Sequence, residues 1–128
     1  MEIDMHLIFA IAVVIHGIGH FFPGFIHTSE LLKLPGFKTE SWLLAERLSL
    51  ERAVTRVLAV LWLVAVFGFF ITAWAFWTKL AWWKPLAGAM VVLSVVLFII
   101  WLNAFPINIP IQAAVGNLIV IAGLIWLN

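Results

Sequence analysis

Four long apolar runs, over about 5–26, 54–77, 85–104 and 109–127, leave this chain few folds to choose from. Each is close to the 20 residues an α-helix needs to cross roughly 30 Å of hydrocarbon, where every backbone polar group must find its partner within the protein. Arg56 is the single formally charged residue inside them, and the chain is 66% hydrophobic and 10% charged. Soluble domains carry nearer 25% charge. The expectation is an all-α integral membrane four-helix bundle, one transmembrane domain over 1–128, in the cell (plasma or inner) membrane, with the lipid bilayer as its first partner. A net charge of +1 provides no basic face for nucleic acid. Cysteine is absent, which removes disulfides and thiolate chemistry from consideration.

Orientation follows from the basic residues. Lys33, Lys38, Arg47, Arg52 and Arg56 lie in or beside the first connection, Lys79 and Lys84 at the second, and none at the third. The positive-inside rule places the first connection in the cytoplasm, hence both termini outside. Glu2 and Asp4 replace the basic start of a signal peptide, so the first run is expected to be retained. Trp74, Trp77, Trp82, Trp83 and Trp126 are expected in an outer aromatic belt, and Trp42 and Trp101 at the inner interface. In the long first connection, Pro35-Gly36 marks a turn, and the mixed segment 40–48 predicts a short interfacial helix. Ser49 and Glu51 suit the start of the second span. Asn103, Pro106, Asn108 and Pro110 suit a tight inner turn, with the amides satisfying loose helix carbonyls.

The chemistry concentrates in the first run. His6, His16, His20 and His27 are all the histidines of the chain, and at about 100° per residue they fall within roughly 80° of arc on a straight helix. His6 and His27 would be about 30 Å apart, so only neighbours can cooperate. His16 and His20, one turn apart, have the spacing that lets two imidazoles reach one metal ion. Further ligands would come from His27 or Glu46, and a haem would need Met90 or a second protomer. Counting from the middle of each span puts His16, Ser94 and Asn117 at one depth, with Thr72 and His20 a turn to either side. Trp62 lies deep enough to pack or to form a ligand wall. Such groups also serve simply to hydrogen-bond helix to helix. Pro23 cannot donate to the carbonyl of Gly19, so the first helix should kink or end there and carry His27 off the stripe. Gly68, Gly116 and Gly123 permit close helix approach.

The segment His16-Gly17-Ile18-Gly19-His20-Phe21-Phe22-Pro23-Gly24-Phe25 resembles the first-helix element of small prokaryotic four-helix membrane proteins of the DoxX-like group. It is also similar to membrane proteins with a His-Gly-x-x-His pattern, in which Trp82-Trp83, Asn103-Ala104 and Gly116-Asn117 have counterparts. His20 with Pro23 departs from the lysine that DoxX-like proteins often carry nearby. The resemblance implies a four-helix architecture, in a group that includes partners of quinone-linked and thiol-linked oxidoreductases.

Two functions follow as expectations. One is an accessory bundle with a polar intramembrane site formed by His16, His20, Ser94, Asn117 and Trp62, binding a small amphipathic molecule or passing a proton, within a larger membrane complex or homo-oligomer. The other is a membrane oxidoreductase or electron-transfer component holding a metal or haem through His16 and His20, helped by His27 or Glu46. Ser94 has no orienting carboxylate nearby, which disfavours hydrolase chemistry. No charged residue lies deep in a span, which disfavours an ion-coupled transporter acting alone.

Overall fold

The computed structural model describes residues 4–44, the backbone of 46–47, and residues 52–127. Asp4 opens the first helix: its side chain accepts the free amides of His6 at 2.9 Å and Leu7 at 3.4 Å, the usual service of an N-cap aspartate. Helix α1 runs Met5–His20 and continues through a π-helical turn over Phe21–Ile26. The change of pitch falls where Pro23 has no amide hydrogen for the regular pattern, so the helix widens rather than ends. Helices α2 (Ala53–Trp77), α3 (Trp83–Ile100) and α4 (Asn108–Trp126) complete four segments long and apolar enough to cross a membrane.

Each helix packs on its neighbours in sequence, and α1 closes the ring against α4. In lipid there is little hydrophobic drive between helices, so close fit and polar contacts must hold them. Glycines supply the fit. A Cβ at Gly123 would lie 2.1 Å from the Phe9 ring, and one at Gly68 2.0 Å from Met90 Sδ. The core divides into two apolar clusters, one around Phe9, Phe69, Phe76 and Trp83, the other around Trp62, Leu97, Phe98 and Trp101. Trp83 therefore packs in the core against Phe9 and Phe76 rather than in the outer belt, where Trp74, Trp77, Trp82 and Trp126 are exposed. Trp101 is buried too, under the first connection's end of the bundle.

The connections differ from expectation in two places. The segment 40–48 does not form an interfacial helix among its described residues. β1 (Glu40–Ser41) instead pairs antiparallel with β2 (Glu46–Arg47) about a turn at 42–44. The third helix also stops at Ile100, not near 104, and residues 101–104 form a turn. One exchange of hydrogen bonds explains both. The loose carbonyls of Ile99 and Ile100 at the end of α3 accept from the Trp42 indole at 2.7 Å and from Ser41 Oγ, while the Asn103 amide takes the Trp42 N–H at 2.9 Å and donates to the Glu40 carbonyl at 3.1 Å. Asn103 thus ties down the other connection instead of capping its own helix. Ser49 and Glu51 lie outside the described residues.

The turn after α2 is also specific. Leu80 N–H donates to the Ala75 carbonyl at 2.8 Å and Lys79 N–H to Phe76 at 3.0 Å, the paired bonds of a Schellman motif. Lys79 holds the left-handed position, φ 58°, where glycine is usual, so a basic residue follows directly on the negative end of α2.

Candidate functional site

Between the two apolar clusters runs a connected layer of polar side chains from α1, α3 and α4. His16 Nε2 stands 2.9 Å from Asn117 Oδ1, Asn117 Nδ2 is 3.0 Å from Ser94 Oγ, and Ser94 Oγ is 2.8 Å from His20 Nε2. His20 Nδ1 lies 2.8 Å from the backbone carbonyl of His16, one turn back. All four residues are buried. Burial, with no carboxylate bonded to either ring among the described residues, favours neutral rings, because a lone imidazolium in this layer would be an uncompensated buried charge.

With neutral rings, the direction of every bond is determined from one end. A carbonyl can only accept, so His20 carries its hydrogen on Nδ1 and its Nε2 must accept from the Ser94 hydroxyl. Ser94 Oγ then accepts from the Asn117 amide nitrogen, and Asn117 Oδ1 accepts from His16 Nε2–H. His16 Nδ1 is left as a bare acceptor with no hydrogen-bond partner among the described residues. The chain begins at that nitrogen and ends on the backbone of the same residue.

The rings are held by aromatic neighbours. His16 and His20 meet edge to face at 4.7 Å; both contact Phe69, and His20 also meets Phe98 at 5.5 Å and Trp62 at 5.6 Å. Trp62 is fully buried, its ring lies against Gly24, and its indole N–H has no partner among the described residues, so it acts as a wall to His20. Thr72, expected near the layer, turns back to bond the Gly68 carbonyl at 2.7 Å.

His6 and His27 stand apart from the central pair, His6 near the start of α1 and His27 beyond the π turn. His6 is exposed beside Asp4 and stacks on Phe76. His27 follows the π turn and donates from Nε2 to the Lys38 carbonyl at 2.7 Å, packed between Phe37 and Phe105. Burial holds its imidazole below the usual range, against the opposing pull of the Lys38 carbonyl and Glu30. The side chain of Glu46 lies outside the described residues. Among the described residues no three of His, Asp and Glu come together as metal ligands. Both Nε2 atoms of the central pair are bonded to Asn117 and Ser94, and Met90 packs against Gly68, so among the described residues no further donor joins His16 and His20.

A cavity of about 440 Å³ adjoins the layer between α1 and α4, lined by His16, Gly19, His20, Pro23, Gln112 and Gly116. The exposed Ile15, Val115 and Ile119 form its rim, so it opens on the outer surface of the bundle. Small residues make the space: a Cβ on Gly19 would meet nothing within 4 Å. Gln112, overlooked in the sequence, makes no hydrogen bond among the described residues. It is the one glutamine of the chain, and its i, i+4, i+7 spacing with Gly116 and Ile119 could have revealed it. A larger cleft of about 590 Å³ at the other end, bordered by Asp4, His6, Lys79 and Lys84, shares no residue with the polar layer.

Fold and site together define a small multi-pass helical membrane protein with a buried histidine layer. Comparison with protein-family models, with curated proteins and with solved structures finds no match.

Proposed function

We propose that this chain is an accessory, small-molecule-binding bundle of the cell membrane, taking an amphipathic molecule from the bilayer into the cavity between α1 and α4. The observation that carries the proposal is the conjunction of that cavity with the polar layer: a mostly apolar recess, opening on the bundle's outer surface, with His16 and His20 in its wall and Gln112 beside them. Binding sites for small molecules commonly have this composition, a largely apolar lining with few placed polar groups. A proton relay has less support, since the chain of bonds returns to the carbonyl of His16 and has no second outlet. The oxidoreductase alternative has less support, since no donor set is assembled among the described residues. Lodging within a larger membrane complex or homo-oligomer, with the first connection cytoplasmic, belongs to the same proposal.

Filling the recess tests it. Gly19→Phe adds a ring where a Cβ meets nothing, so the bundle should keep its melting temperature in detergent. Native mass spectrometry of gently extracted protein should then show a bound small molecule on the wild type that is missing from Gly19→Phe. Identical spectra for the two folded proteins would refute a site in this cavity.

A further inference from the structure

The bond directions in the polar layer specify what kind of head group the cavity takes, an inference that rests on the cavity being a ligand site. We infer that the buried end of the ligand is a hydrogen-bond donor, a hydroxyl or phenol on an apolar tail, placed on Nδ1 of His16, and that a head offering only acceptors is disfavoured.

One acceptor in the layer cannot change role, because a backbone carbonyl has no hydrogen to give. The His16 carbonyl obliges His20 Nδ1 to donate, and through Ser94 and Asn117 this obliges His16 to carry its hydrogen on Nε2. For His16 to present a donor to the cavity, its hydrogen would have to move to Nδ1, leaving a bare Nε2 against Asn117 Oδ1. Turning the Asn117 amide would repair that contact but would set Nδ2–H no longer on Ser94, and reversing Ser94 would require a hydrogen on both nitrogens of His20. Each alternative leaves a buried group unpaired or a buried ring charged, and both are costly in a low-dielectric layer. The tautomer of His16 is therefore set by a carbonyl on its own helix, four bonds away along the network.

Geometry places the open nitrogen beside the recess. His16 and Gly116 both line the cavity, and Nδ1 is the ring atom nearest Gly116, 2.1 Å from where a Cβ would stand, so the nitrogen sits at the α1–α4 contact that borders the recess. Gln112, one helical turn or about 6 Å toward the start of α4, offers both a donor and an acceptor. It accommodates a second polar group of either kind, whereas Nδ1 discriminates.

The test uses the full wild-type chain in nanodiscs, labelled with ¹⁵N-histidine, titrated with 4-nonylphenol and with its methyl ether, which has the same shape but no donor. Affinities are expressed per mole fraction in the bilayer, to remove the difference in partitioning. The free protein should show His16 with a protonated Nε2 and a bare Nδ1. The phenol should bind about tenfold tighter than the ether, a factor equal to about 1.4 kcal/mol, and should shift the His16 Nδ1 resonance. Equal affinities, tighter binding of the ether, or a His16 found protonated on Nδ1 would overturn the donor assignment while leaving the cavity as a site. Saturation by neither probe would overturn the cavity as a site for such amphiphiles, and the donor assignment with it.

Discussion

Gly116 shows how much a single missing methyl group supports at the scale of a residue. The His16 ring occupies the space where an alanine Cβ would stand, so Gly116→Ala must push the imidazole off Asn117 or part α1 from α4. A loss of about 1–3 kcal/mol is expected, as for other overpacked sites. Gly88→Ala is the control: nothing lies within 4 Å of its added Cβ, and stability should hold or rise by up to about 1 kcal/mol. Reversible unfolding in mixed micelles compares the two, and equal losses would mean that the α1–α4 contact is not as close as described. The shared depth of His16, Ser94 and Asn117 was legible in the sequence, because rise per residue is constant and counting along each span gives the layer. The return of His20 to the His16 carbonyl was not, since it depends on a side-chain torsion that spacing does not specify.

At the scale of the element, His27 and the first connection form one unit. Its ring donates to the Lys38 carbonyl and is packed between Phe37 and Phe105, and burial depresses its pKa. In the opened connection the same imidazole titrates near the ordinary value of about 6.5. Below that pH the open form binds a proton that the closed form resists, so the connection should lose stability as pH falls through about 6.5 and recover it as pH rises. Hydrogen exchange over residues 27–44, corrected for intrinsic rates, should reveal more opening at pH 5.5 than at pH 7.5, and His27→Gln should remove most of the difference. A pH-independent wild type would contradict this account. The π turn explains why His27 belongs here: the proline was visible in the sequence, but whether a helix ends, kinks or widens at it depends on what packs alongside, here Trp62 against Gly24. The segment 40–48 was misread for a related reason. Its mixed polarity suits an interfacial helix, yet Asn103 and the last carbonyls of α3 hold residues 40 and 41 extended and tie down the turn that follows at Trp42.

For the whole molecule, the orientation proposed from the basic residues can be measured directly, because the chain has no cysteine to interfere. Lys33→Cys should react with an impermeant maleimide only after the membrane is opened, and Lys79→Cys should react in intact cells. The reverse pattern would invert the bundle and place the cleft near Asp4 and Lys84 on the cytoplasmic side. The four spans, their number and rough bounds were determined by the sequence alone, since a bilayer demands length and apolarity that are properties of the chain itself. So was the depth at which polar groups collect. Which groups touch, which nitrogen of His16 stays open, and where the bundle leaves a recess were decided only by the tertiary structure, because these depend on how each helix is rotated toward its neighbours, and the rotation is set jointly by residues far apart in the chain.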